Sequence, residues 1–195
     1  LYREIVVWQS LDHPHVLPFY GVEAFNFSPL VCMVAPWMHN GSLLQYVQQG
    51  NRSEWDINKL LYETAQAIDY LHSRSIVHGD VRCSNVLIDR SGYAKLADFG
   101  LSILLAERAT TATTSAGSYR WSAPELFTSA DAHRTRQSDI YAFGCTCLEA
   151  HTGQPPLPEL KEFAVVAKVI SGARPQWPQG CEASAALRSL AEECW

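Results

Sequence analysis

The sequence predicts an α+β fold in which one helix and two short strands precede a predominantly helical domain. Three observations predict it. Ile57, Leu60, Leu61, Ala65, Ile68 and Leu71 recur at the spacing of one helix face, so a long segment from about Asp56 presents a continuous apolar stripe. The run Ser138 to Leu148 is apolar nearly all round, which suits a helix buried in the middle of a helical domain. Closer to the N-terminus, the apolar runs Val16 to Val22 and Leu30 to Val34 are separated by a segment containing Asn26, Ser28 and Pro29, the pattern of an antiparallel strand pair.

The elements follow in order. Leu1, Ile5 and Trp8 are spaced by four and then three, as on one side of a helix, and Asp12-His13-Pro14-His15 turns the chain before the strands. Ser42 to Gln49 reads as a short helix closed by Gly50-Asn51, and the long apolar-striped helix comes next. Val86 to Ile88 and Ala94 to Leu96 read as two strands around the turn Asp89 to Gly92. From Leu104 to Ser118 the periodicity is lost among Ala, Thr and Ser, which predicts a mobile loop. Ser138 is predicted to cap the central helix. Leu160 to Ile170 and Ala185 to Trp195 read as two further helices around the turn region Arg174 to Pro178. No internal repeat and no domain linker is visible.

At 195 residues, 47% hydrophobic and 18% charged, the chain can bury a substantial core. Its formal charge of -5 and pI near 5.8, with no cluster of Lys and Arg, exclude a phosphate-backbone binder, so no nucleic-acid partner is expected. The longest apolar stretch, Leu30 to Met38, contains Pro36 and falls short of the roughly 18 residues that cross a bilayer. No membrane segment is therefore expected within the chain. Cys32, Cys83, Cys145, Cys147, Cys181 and Cys194 show no C-x-x-C spacing, which points to reduced thiols and a cytoplasmic setting.

The chemistry is carried by His78-Gly79-Asp80-Val81-Arg82-Cys83-Ser84-Asn85, then by Asp98-Phe99-Gly100 and by Ala123-Pro124-Glu125. Each motif alone is short enough to arise by chance. Their order, their spacing and their predicted positions between helix and strands resemble the catalytic loop, D-F-G triplet and A-P-E triplet of eukaryotic-type protein kinases. Phosphoryl transfer needs these residue types, a carboxylate to orient the attacking hydroxyl and oxygen ligands to hold magnesium against the phosphates.

The resemblance implies a mostly helical large lobe over residues 39–195 and a partial small lobe with hinge over residues 1–38. It implies ATP and Mg2+ as cofactors and a protein as substrate, and leaves the oligomeric state open. Asp80 would be the catalytic base, with Asn85 and Asp98 as metal ligands. Glu4, in Arg3-Glu4-Ile5, matches the helix glutamate that pairs with a nucleotide-positioning lysine. Ala35 matches the gatekeeper of the adenine pocket, Pro36, Trp37 and Met38 the linker, and Leu87 the residue packed beneath adenine. Trp8, Phe19, His78 and Phe99 match a column of stacked side chains, anchored by Asp139 in the central helix. Because an unpaired buried carboxylate is costly, Asp139 is expected to bind the backbone around His78.

Some positions depart from the common pattern. Gly79 stands where most kinases carry the arginine that receives an activation-loop phosphate, so control through that contact is expected to be lost, although Thr110, Thr111, Thr113, Thr114 and Ser115 remain acceptors. Arg82 stands where serine/threonine kinases usually carry lysine, and its fork could hold the transferring phosphate. Gly117-Ser118-Tyr119-Arg120-Trp121-Ser122, with the hinge and Gly172-Ala173-Arg174-Pro175, resembles the tyrosine-kinase-like group of serine/threonine kinases. Ser118 is accordingly expected to contact both Asp80 and Arg82, and Ser/Thr specificity is favoured over Tyr.

No glycine-rich lid and no strand lysine precede Glu4, and Lys59, Lys95, Lys161 and Lys168 sit elsewhere. Glu125 is expected to pair with an arginine beyond Trp195. The sequence therefore reads as a kinase domain truncated at both ends and inactive by itself, since losing even one preorganised donor costs about 10²- to 10³-fold in rate. The alternative is a pseudokinase that binds partners as a scaffold.

Overall fold

The structure, a computed structural model, describes residues 2–26, 29–50, 53–100, 102–104, 118–129 and 131–195. Helix α1 (Tyr2–Trp8) is followed by strands β1 (Gly21–Glu23) and β2 (Cys32–Val34), paired antiparallel with Val22 opposite Met33. The N-terminal strand pair is therefore present but shorter than its apolar runs. Val16 does not join it. It makes a parallel bridge to Leu96, and residues 15 and 17 exchange hydrogen bonds of 2.8 and 2.9 Å with Leu96, because this segment runs along the free edge of a distant hairpin.

Helix α2 (Leu43–Gln48) begins at a complete capping box in which Ser42 and Gln45 satisfy each other's backbone N–H groups. Helix α3 (Glu54–Ser73) is capped by Ser53 and buries Ile57, Leu60, Leu61, Ile68 and Leu71 of the stripe predicted from the spacing, with Ala65 half-buried and Ala67 buried in addition. Strand β3 (Ile76–Val77) pairs with β6 (Ile103–Leu104), and β4 (Val86–Ile88) pairs with β5 (Ala94–Leu96), with Leu87 opposite Lys95. Asp89 Oδ1 closes the β4–β5 turn by accepting from the N–H groups of Ser91 and Tyr93.

Helix α4 (Arg136–Thr152) runs through the centre, buried from Ser138 to Ala150 except at the exposed Ile140, and packs on α2, α3 and α6 (Ala185–Glu193). Its cap corrects one expectation. Thr135 is the N-cap and Ser138 is the third residue of the box, because Thr135 has the extended backbone that lets its hydroxyl reach the N–H of Ser138. Close packing against α6 requires Gly144, since a Cβ there would lie 2.6 Å from Cys194 Cβ and 2.9 Å from the Ala191 carbonyl. Helix α5 (Glu162–Ile170) buries Val165 and Val169 with Leu157 in a smaller cluster beside this core. The expected loop from Leu104 to Ser118 falls mostly outside the described residues, as do Thr110, Thr111, Thr113, Thr114 and Ser115.

Candidate active site

Two elements fix the segment His78 to Asn85. Asp139, in the first turn of α4 and 1% exposed, accepts from the N–H of His78 through Oδ2 and from that of Gly79 through Oδ1, both at 2.8 Å. His72 Nε2 lies 2.9 Å from the same Oδ2. These partners satisfy a carboxylate that would otherwise be costly to bury. The imidazole of His78 accepts from Asp80 N–H at Nδ1 (3.2 Å) and so donates from Nε2 to the Ala97 carbonyl (3.0 Å).

Asp80 emerges from this support nearly buried, with each carboxylate oxygen engaged. Oδ1 accepts from Ser118 Oγ at 2.8 Å. Oδ2 accepts from Asn85 Nδ2 at 2.9 Å and lies 3.4 Å from Arg82 Nε, an ion pair without hydrogen-bond alignment. Asn85 Nδ2 also donates to the Asp80 carbonyl at 2.9 Å, which leaves Oδ1 as the amide's acceptor atom. The Ser118 expectation thus holds for Asp80 and is corrected for Arg82. Arg82 turns toward Asp80 Oδ2 and lies over the Trp121 ring, 5.7 Å from its centroid, because Trp121 is held beside it by Glu149.

The β4–β5 ladder carries Asp98 to the same end of the hairpin as Asn85, since Ala97 N–H donates to the Asn85 carbonyl at 2.9 Å. Asp98 is exposed and left-handed (φ 66°), with Oδ1 accepting from Gly100 N–H at 3.3 Å. Glu4 approaches it around Gly100. Partial burial raises the Glu4 pKa above the usual carboxylate value, and the Asp98 charge adds to the effect. Asn85 offers an amide oxygen and Asp98 an exposed carboxylate, hard-oxygen donors of the kind a divalent cation takes, with the Glu4 carboxylate near Asp98. Lys59 pairs with Glu63 and Lys95 with Asp89, so neither serves Glu4.

The aromatic column is continuous. Phe19 and Trp8 have ring centroids 5.0 Å apart, Trp8 and Phe99 5.8 Å, and Phe99 and His78 5.3 Å. Phe99 is fully buried, which fixes the backbone on which Asp98 sits. The segment after β2 returns to β4, with Ser42 bridging Leu87 and Ile88 N–H donating to the Gly41 carbonyl at 2.9 Å. Ala35, Met38 and Leu87 pack half-buried against the core, and Pro36 is half-buried beside them. Trp37 is 81% exposed, so its side chain turns away from them.

Several residues around the site were not singled out by motif. Glu149, buried on α4, accepts from Cys83 N–H (2.9 Å) and Trp121 Nε1–H (3.0 Å), tying the Asp80 loop to the Ser118 segment. Burial raises its pKa against the effect of those bonds. A charged residue within an otherwise apolar run was its only signal. Arg134, beside Gly79, and His72 carried none. Cys83 is fully buried, and burial, reinforced by the Glu149 charge, pushes its thiol well above the ordinary range. Glu125 is exposed, and the arginine expected to pair with it lies outside this chain.

The profile of the protein tyrosine and serine/threonine kinase family matches residues 1–195. The chain belongs to the protein kinase family. Its relatives include the serine/threonine-protein kinase RUNKEL of Arabidopsis thaliana, 35% identical over 86% of this chain and 12% of that protein. The Arabidopsis serine/threonine-protein kinase CTR1 is 32% identical over 99% of this chain and 24% of its own length. The Arabidopsis serine/threonine/tyrosine-protein kinase HT1 is 30% identical over 98% and 48%. This kinase chain therefore spans less than half the length of these curated relatives. Kinase membership implies ATP, a divalent metal and protein substrates. Among the described residues, no helix is long and apolar enough to cross a membrane.

Proposed function

We propose that the protein transfers the γ-phosphoryl group of ATP to serine or threonine hydroxyls of other proteins. The observation that carries this reading is the buried Asp80 carboxylate, oriented through one oxygen by Ser118 and through the other by Asn85. Asp80 accepts the substrate hydroxyl proton as the new oxygen–phosphorus bond forms and the bond to the leaving ADP oxygen breaks. Arg82, near Asp80, supplies positive charge for the transferring group. Magnesium bound by Asn85 and Asp98 would neutralise phosphate charge. Ala35, Pro36, Trp37, Met38 and Leu87 form the adenine side, Trp37 through its backbone, and Glu4 the side of the phosphates. Residues 1–38 are read as a partial small lobe with hinge and residues 39–195 as a large lobe.

Serine and threonine are favoured over tyrosine because Ser118 stands directly against the base, and because RUNKEL and CTR1 carry serine/threonine names, although the name of HT1 adds tyrosine. The six unpaired cysteines support a cytoplasmic location. A second reading, a partner-binding pseudokinase, is favoured by Gly79 in place of the usual arginine.

A magnesium-ATP assay on the full protein that carries this chain, using serine and tyrosine peptides, separates the two. Phosphorylation of the serine peptide, abolished by Asp98→Ala and by Asp80→Asn, is the expected result. Equal signal in parent and variants, or none in any of them, leaves the scaffold reading.

A further inference from the structure

The segment leading into α4 carries a buried cation that no kinase motif accounts for. Arg134 is 5% exposed, and its Nε–H donates to the Gly79 carbonyl at 2.9 Å. That carbonyl belongs to the peptide group whose N–H is Asp80's, and this N–H is held by His78 Nδ1. The peptide plane that bears Asp80 is thus gripped at its oxygen by Arg134 and at its nitrogen by His78. Asp139 grips the plane before it. Gly79 is left-handed, with φ 83°, and offers no side chain of its own to hold this turn.

A guanidinium is costly to bury without compensating charge. Burial lowers the pKa of Arg134, and the Asp80 and Asp139 carboxylates act in the opposite direction. The cation, held at the Gly79 carbonyl, is therefore within electrostatic reach of both the base and the carboxylate that anchors the base's loop. Thr135, the next residue, is the N-cap of α4, so Arg134 is fixed to the same helix start that presents Asp139.

We propose that Arg134 is the positioning residue for Asp80, supplying from the start of α4 the cationic anchor that position 79 lacks. The inference rests on the phosphotransferase reading of Asp80. It assigns Arg134 no contact with substrate, so its effect belongs in kcat and not in nucleotide affinity.

Arg134→Met keeps the length and removes both cation and donor, whereas Arg134→Lys keeps a cation and a donor. In the full protein, kcat on a serine peptide is expected to fall about 10- to 100-fold in Arg134→Met and to recover largely in Arg134→Lys. KM for ATP is expected to stay within about twofold. Amide hydrogen exchange reads the same grip without catalysis. Gly79 and Asp80 are expected to exchange about tenfold or more faster in Arg134→Met, while Cys145 in mid-α4 keeps its rate.

Parental kcat with parental exchange at Gly79 and Asp80 overturns the proposal, as does an effect confined to KM for ATP. If the parent phosphorylates nothing, the reading of Asp80 fails while the exchange result still decides the role of Arg134. If Arg134→Met does not fold, Arg134→Gln is read in its place by the same exchange: faster exchange at Gly79 and Asp80 with Cys145 unchanged supports the grip, and parental rates at both overturn it.

Discussion

Ser118 donates its hydroxyl proton to Asp80 Oδ1 at 2.8 Å, with both side chains buried. Ser118→Ala leaves that oxygen without its donor. A hydrogen bond to a charged group contributes about 1.5–3 kcal/mol, or about 10- to 100-fold in rate if it persists in the transition state. Steady-state kinetics on a serine peptide are expected to show a kcat loss in this range for Ser118→Ala and near-parental kcat for Ser118→Thr. An unchanged kcat in the alanine variant would remove Ser118 from the site.

Asp139 satisfies two backbone N–H groups and faces His72. Asp139→Ala leaves both N–H groups buried without acceptors, at about 1–3 kcal/mol each. Urea denaturation is expected to show a loss of about 3 kcal/mol or more, together with faster amide exchange at His78 and Gly79. A variant within about 0.5 kcal/mol of the parent, the range of ordinary surface changes, would mean that water replaces the carboxylate.

Glu149 gives a pH dependence. Burial raises its pKa in the folded chain above the ordinary value of 4.5. The folded state therefore binds this proton more tightly than the unfolded state. The stabilisation is complete below the ordinary value and is lost as pH rises through the raised one. Glu149→Gln cannot ionise and keeps a carbonyl oxygen for Cys83 and Trp121. Its stability relative to the parent is expected to increase with pH across that window and then to level off. Urea midpoints from about pH 4 to about pH 8 check the trend, and a pH-independent difference contradicts it.

Gly144→Ala places a methyl group against Cys194 and the Ala191 carbonyl. Overpacking of this kind typically costs about 1–3 kcal/mol. A thermal unfolding midpoint lowered accordingly is expected, because both obstacles are backbone or near-backbone atoms of α6. A parental midpoint would mean that α6 can shift outward.

The parts of this fold legible in the sequence are those fixed locally. The stripe from Ile57 to Leu71 and the hairpin on either side of Asp89 stand where spacing and turn chemistry place them, and the motif order brings Asp80, Asn85 and Ser118 together. The place of Val16 is not legible locally, because its partner Leu96 is far along the chain and no local pattern encodes a parallel bridge. Ser138 reads as a cap in the sequence because Thr135 and Ser138 are both hydroxyl residues, and only backbone conformation separates cap from third residue. Arg134 sits among His133, Thr135 and Arg136 with no periodicity to mark it as buried. Its role depends on where the Gly79 carbonyl lies in space.

Cys83 lies three residues beyond Asp80, in a position that suggests a redox-sensitive loop. Its environment argues the reverse. Sealed beneath α4, with the thiolate disfavoured by burial and by the neighbouring Glu149 charge, it offers neither the anion nor the access that oxidants and electrophiles require. Cys145 and Cys147 are equally buried, and burial raises both thiols as well. Chemical labelling of the native chain will therefore report on Cys32, Cys181 and Cys194, the partly exposed thiols. Modification of Cys83 will mark molecules whose segment from His78 to Asn85 has already come away from the central helix.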